Sequence, residues 1–229
     1  MMFGEIVEPS TRALILDADE LDELPAYKNP IYEWQGDSQP QLDIDNLIFA
    51  DSPTVLQICS YITKNIQPVA QILQEGLAIY KLDRNYLVVF NGKSKDLVVG
   101  QLVEVLAPWL RKAQNIHGIT SVQTSLFQPW DVYKGSPPIT FSRCLTTHQT
   151  VPYEFCKRLE SPNLIQSFTA SILSYCTHSN LHASLWIVYT DNAPLDSENS
   201  AELIRLFRTL GIQMNVELIQ SPMSSNLYL

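Results

Sequence analysis

Glycine is scarce in this 229-residue chain, with eight in all. None falls in a GxGxxG or Walker spacing, so no backbone cradle for a phosphate can be read from it. The Gly-x-Ser-x-Gly elbow that presents a nucleophilic serine is missing as well. No apolar run approaches the roughly 20 residues of a membrane helix, which predicts no membrane insertion. The first residues, Met1-Met2-Phe3-Gly4-Glu5, lack a basic region followed by an apolar stretch, so no secretory leader is expected. There is no Asn-x-Ser/Thr acceptor site. Cysteine is limited to Cys59, Cys144, Cys156 and Cys176, without metal-type pairing, which predicts reduced thiols in a cytosolic protein. Positive charge is short too: 15 Lys and Arg against 24 Asp and Glu, a net charge of −9. That argues against general nucleic-acid binding, which requires a basic face.

The acidity has an address. Residues 1–51 hold twelve acidic and two basic side chains, a balance of −10, whereas residues 52–229 hold twelve and thirteen, a balance of +1. The run Asp17-Ala18-Asp19-Glu20-Leu21-Asp22-Glu23 is either a solvated charge run or a strip that meets a basic partner surface. The chain as a whole is 45% hydrophobic and reads as globular.

Periodicity predicts an α/β chain. Asn46–Ala50 is a short apolar strand. Ser52 as N-cap and Pro53 at the first helical position then open a helix faced by Val55, Ile58, Cys59 and Ile62. Leu77–Tyr80 and Tyr86–Phe90 form a hairpin around the turn Lys81–Asn85. A helix follows from Asp96 to about Ala113, with Pro108 predicting a kink or break. Ile119–Leu126 alternates as a strand, Gln128–Pro138 is a loop, and Phe141–Leu145 is a short strand. Asn163 is the expected cap of a helix faced by Leu164, Ile165, Phe168, Ile172 and Cys176. Ala183–Thr190 is a central strand. Asn199 and Glu202 resemble a capping box ahead of Leu203, Leu206, Phe207 and Leu210, and Gly211 ends that helix. Phe3–Val7 and Met214–Ile219 are further strand candidates. The fold class expected is a layered α/β/α domain with a mixed, largely parallel sheet, over residues 46–219. It lies between an acidic, irregular segment 1–45 and a tail 220–229.

Catalytic candidates are thin. His178 and His182 stand four apart, but Asn180 is expected to break the helix between them, and no third metal ligand is evident. Cys156 and Cys176 read as buried thiols, and Asp191 as a turn or cap residue rather than a sheet-edge acid. No enzyme activity, cofactor or metal is expected. The C-terminal residues are more suggestive. Leu227-Tyr228-Leu229 combine an apolar side chain, a phenol and a carboxyl end, behind the Pro/Ser-rich run Gln220–Asn226. Such a tail either frays or plugs into a partner.

Three blocks together resemble the proteasome assembly chaperone 1 family. They are Phe3–Val7; Leu159-Glu160-Ser161-Pro162-Asn163-Leu164-Ile165 with Ser171–Cys176 and Tyr189-Thr190-Asp191; and Ser225–Leu229. The resemblance implies a non-enzymatic chaperone with a nucleoside-phosphorylase-like fold, paired with proteasome assembly chaperone 2. It implies that the pair binds the α-subunit ring of the 20S proteasome, promotes ring formation, prevents off-pathway association of α subunits and blocks early docking of activators. It also implies that Leu227, Tyr228 and Leu229 insert between α subunits as a hydrophobic–tyrosine–any motif. A cytoplasmic place follows, with association with the endoplasmic reticulum or nucleus also compatible. Two other readings compete: a small α/β enzyme acting on a nucleoside-like substrate, and an adaptor working through its acidic arm. The enzyme would require a polar pocket with a convergent acid or base at the strand C-termini; an apolar, filled sheet edge would speak against it.

Overall fold

Eight consecutive buried residues, Ala183–Thr190, mark the middle of the sheet. Only a strand covered on both faces tolerates such a run. The structure, a computed structural model, describes residues 31–40, 43–92, 96–129, 138, 140–191 and 197–213. In chain order its elements are β1 (Gln35–Gly36), β2 (Ile44–Ala50), α1 (Pro53–Thr63), β3 (Ala70–Ile72), β4 (Leu77–Leu82), β5 (Asn85–Phe90), α2 (Asp96–Val105) and α3 (Ala107–Lys112). There follow β6 (Ala113–Gln123), β7 (Phe141–Thr146), β8 (Lys157–Arg158), α4 (Phe168–His178), β9 (Ala183–Thr190) and α5 (Ser197–Thr209).

The strands form one mixed sheet in the order β1-β3-β4-β5-β2-β6-β9-β7-β8. Its centre is parallel, through the pairs β5–β2, β2–β6 and β6–β9. The flanks β1–β3–β4–β5 and β9–β7 are antiparallel. Side chains alternate across β2. Leu47 and Phe49 pack with Leu102, Leu106, Trp109, Phe168 and Ile172 on one face, while Ile48 and Ala50 pack with Val55, Ile58, Leu203, Leu206 and Phe207 on the other. Helices α2, α3 and α4 therefore cover one side, and α1 and α5 the other. This is the layered α/β/α arrangement expected, with a mixed sheet.

Several local expectations shift. Pro108 does break the predicted long helix: α2 ends at Val105, and Leu106 caps α3 with Pro108 in its first turn. The hairpin turn is tighter than expected, because β4 and β5 pair down to Leu82 and Asn85, leaving Asp83-Arg84 with Asp83 at φ 57°. Strand β6 begins at Ala113 and is buried from Ile116 to Thr120, so it does not alternate there, and Thr124–Leu126 is a 3₁₀ turn. The two-residue strands β1 and β8 and the short β3 are too brief for a periodic signal.

Helix α4 starts at Phe168, not beside Asn163. Its N-cap is Ser167, whose Oγ accepts from the Ala170 N–H at 3.0 Å. Asn163 instead donates to the Gln128 and Glu160 carbonyls, and Leu164, expected on the buried face, is 88% exposed. Phe168, Ile172 and Cys176 are buried as expected. Helix α5 already includes Ser197, so Asn199 lies inside it and is not its cap; Glu202 pairs with Arg205 instead, at 3.8 Å. Gly211 does end that segment, at φ 81°. The strand candidates Phe3–Val7 and Met214–Ile219 lie outside the described residues.

Candidate functional site

Leu227, Tyr228 and Leu229 lie outside the described residues. The other sequence candidates are not brought together. Asn180, at φ 54°, separates the end of α4 from His182, whose ring stacks on His148 at 4.8 Å. Among the described residues no three His, Cys, Asp or Glu side chains gather around a metal-sized site. The Cys156 and Cys176 thiols are buried, which pushes them up to about 11 and about 12, respectively. Asp191 is exposed beyond the end of β9. Among the described residues no helix is long and apolar enough to cross a membrane.

What the fold does assemble is a cavity of about 640 Å³ at the C-terminal ends of β2 and β6. From β2 the chain moves out to β3, β4 and β5. From β6 it moves the opposite way, to β7, β8 and β9. This reversal opens a crevice at the strand ends, where open α/β sheets bind ligands. Its floor is the step from β2 to α1. Asp51 directly follows Ala50, and its N–H reaches the Ile119 carbonyl at 3.3 Å. Ser52 then takes φ 69° and ψ 143°, a conformation costing a non-glycine residue about 1–3 kcal/mol. Ser52 sits at the N-cap of α1, but its hydroxyl makes no cap bond. It accepts from the Ser121 N–H at 2.9 Å and shares a hydrogen bond with Ser121 Oγ at 2.9 Å, tying α1 to β6.

The far wall is the start of α4. Asp51 Oδ2 accepts from the Thr169 N–H at 2.8 Å, so a carboxyl group sits at the positive end of a helix. Gly118 makes this approach feasible. A Cβ there would stand 3.0 Å from both Thr169 Cβ and Leu185 Cδ1. Asp51 is only 6% exposed, and its Oδ1 has no hydrogen-bond partner. Burial pushes its carboxyl above the ordinary carboxylate range, and hydrogen bonding from Thr120, Thr169 and Ser167 draws it partly back. Phe90 and Phe168, with ring centroids 4.3 Å apart, form an aromatic side wall.

Asp51 was given no role from sequence. The available signal was its position: an acid ending an apolar strand, one residue before a helix start. A crevice and an acid are both present, so the sheet edge is not filled, but the lining is more apolar than the enzyme reading requires.

A family model named PAC1 and described as proteasome assembly chaperone 4 matches residues 102–222, more than half of the chain. Proteasome assembly chaperone 1 of Homo sapiens is 39% identical over 62 residues, 27% of this chain and 22% of that protein. Its Bos taurus counterpart is 38% identical over 56 residues, 24% of this chain and 19% of that protein. The matched stretch therefore spans about a fifth of the length of these curated relatives. Among solved structures, a Thermoplasma acidophilum protein of unknown function has a TM-score of 0.60 at 14% identity, over 80% of this chain and 84% of that one. Pyrococcus furiosus PbaA, an archaeal homologue of proteasome-assembly chaperone, has a TM-score of 0.56 at 11% identity, over 79% and 88%. At such identities the structural likeness speaks for the fold. The family model, together with the residues that carry it, places this chain in the proteasome assembly chaperone family.

Proposed function

We propose that this chain is a non-enzymatic, cytoplasmic chaperone for the 20S proteasome core. In this reading it pairs with proteasome assembly chaperone 2, binds the α-subunit ring during its formation, and seats Leu227, Tyr228 and Leu229 between neighbouring α subunits. The observation that carries the reading is the family match over residues 102–222. The tail chemistry supports the finer part. Burial of the Leu227 and Tyr228 side chains contributes about 2–5 kcal/mol. A terminal carboxylate at Leu229 facing a pocket cation contributes about 1.5–3 kcal/mol more. Association costs a comparable amount in lost rigid-body and side-chain freedom, so the folded body must act together with these residues.

The test is deletion of Tyr228-Leu229 from the full chain. Binding to isolated α rings should weaken at least tenfold while pairing with the partner chaperone persists. Unchanged ring binding would sink the tail mechanism. Amidating the terminus removes its charge alone and should also weaken binding; equal affinity would remove the carboxylate from the account.

The second reading, an α/β enzyme for a nucleoside-like substrate, is favoured by one observation: the buried acid at the crevice. Among the described residues, the crevice lining contains no histidine or cysteine to serve as base or nucleophile beside Asp51, and no lysine or arginine. The described lining thus offers an acid without a partner for general acid–base or covalent chemistry.

A further inference from the structure

The outer face of α5 and the stretch that leads into β8 form a cationic, aromatic surface separate from the crevice. It is built from the core outward. Trp186 on β9 is fully buried, and the half-buried Tyr153 and Phe155 pack on it with ring centroids at 5.4 and 6.3 Å. Tyr153 and Phe155 stack on each other at 5.7 Å. The guanidinium of Arg205 on α5 lies over Phe155, 4.5 Å from the ring centroid. A guanidinium held on an aromatic face is pre-organised for a carboxylate.

Two further arginines extend the charge. Arg208 follows Arg205 by three residues on α5, so the two are neighbours on its surface, away from the buried Leu203, Leu206 and Leu210. Arg158 is the register partner of Cys144, which puts it on the sheet face where Cys144 packs in one cluster with Leu206 and Phe207 of α5. Three residues separate Arg158 from Phe155, a span of at most about 11 Å. All three arginines are exposed. Glu202 meets Arg205 only at 3.8 Å, and among the described residues neither Arg158 nor Arg208 forms an ion pair. Charge complementarity therefore asks the partner to bring the acids.

The surroundings favour an acidic polypeptide over a nucleic acid. Phe155 has a guanidinium over its ring and stacks against Tyr153 and Trp186, so its faces are taken and cannot carry a base. The exposed Glu154 and the half-buried Glu202 stand among the cations and repel a continuous phosphate chain. A peptide can space its carboxylates to avoid them. We propose that this surface docks an acidic segment of a protein partner. Its carboxylates pair with Arg158, Arg205 and Arg208, and an apolar side chain of the same segment covers the exposed edges of Tyr153 and Phe155. Arginine and aromatic rings together are the composition enriched in protein interfaces and their hot spots. The inference gives the folded body a contact surface of its own and does not rest on the tail mechanism.

The full chain is titrated by fluorescence anisotropy with a labelled short peptide of Asp, Glu and Gly around one Leu, and with its Asn/Gln counterpart. The acidic peptide should bind in the micromolar range, the amide counterpart at least tenfold more weakly, and added salt should weaken the acidic peptide further. Arg158→Glu combined with Arg208→Glu should lower affinity at least tenfold; both side chains are exposed, so the fold does not depend on them. Lys81→Glu makes the same kind of charge change on β4, in the opposite wing of the sheet, and should change affinity less than twofold. The proposal is overturned if the acidic peptide fails to bind at millimolar concentration or if the amide peptide binds equally well. It is equally overturned if Lys81→Glu weakens binding as much as the paired arginine reversal, or if a single-stranded oligonucleotide of equal charge binds as tightly as the acidic peptide.

Discussion

His117 is the second buried ionisable group of the sheet centre, and its behaviour has the opposite sign to that of Asp51. It lies on β6, 8% exposed, with Nδ1 accepting from Trp186 Nε1 at 3.4 Å. Desolvation, reinforced by the neighbouring His148, lowers it from 6.5 to about 4. Between those values the unfolded chain binds a proton that the folded chain refuses. Stability therefore falls as pH drops from 6.5 to about 4, by about 3 kcal/mol in total. An NMR titration should place the His117 ring near 4, and urea midpoints should decline over that interval; a ring titrating near 6.5 would refute the assignment. For Asp51 the folded carboxyl holds its proton above the ordinary value, so its contribution to stability is lost as pH rises through the folded pKa. Asp51→Asn should accordingly raise the unfolding midpoint at pH 7. A lowered midpoint would instead make Asp51 a structural cap of α4. Neither group was legible in the sequence. Whether an Asp or His is buried depends on which strands and helices arrive from elsewhere, here β6 and α4 over Asp51 and β9 beside His117.

At the scale of elements, the packing of α4 on β6 holds the crevice together. A methyl group at Gly118 would stand 3.0 Å from both Thr169 Cβ and Leu185 Cδ1, so these neighbours must give by a few tenths of an ångström. Gly118→Ala should push the first turn of α4 away from the sheet and strain the 2.8 Å contact from Thr169 to Asp51. Overpacking of this kind costs about 1–3 kcal/mol, readable as a lower urea midpoint with an unchanged slope. An undiminished midpoint would show that α4 can shift freely. Elements with a strong internal period were readable from the chain: α1, the buried faces of α4 and α5, β9, and the break at Pro108. The start of α4 was not. Asn163 and Ser167 are both acceptable caps, and the choice falls to Ser167 because Asn163 is used by the Gln128 and Glu160 carbonyls. The alternation assigned to β6 failed for a related reason, since a parallel strand covered on both faces has no solvent side to write polar residues on.

At the scale of the whole molecule, the sheet protects itself at its margins. Among the described residues its outer strands, Gln35–Gly36 and Lys157–Arg158, are two residues each, too short to template a long pairing by themselves. Recruitment to an α ring, in the proposed function, is shared between the folded body and the C-terminal tail. Magnitudes decide how that work is divided. A tail contributing several kcal/mol of contact, offset by the cost of ordering it, binds alone only in the micromolar-to-millimolar range. Tethered to a docked body, the same tail acts at an effective concentration of millimolar order, and avidity rises by a factor of about 10² to 10⁴. A synthetic peptide of residues 220–229 should thus bind isolated α rings at least a hundredfold more weakly than the full chain paired with its partner chaperone. It should compete with the full chain only at correspondingly high concentration. A peptide that matched the intact pair would make the folded body a passive carrier; a body that bound equally well without its tail would reverse the roles. Competition measured at two ionic strengths separates the parts further. The carboxylate contribution at Leu229 should weaken with added salt, whereas the apolar burial of Leu227 and Tyr228 should persist.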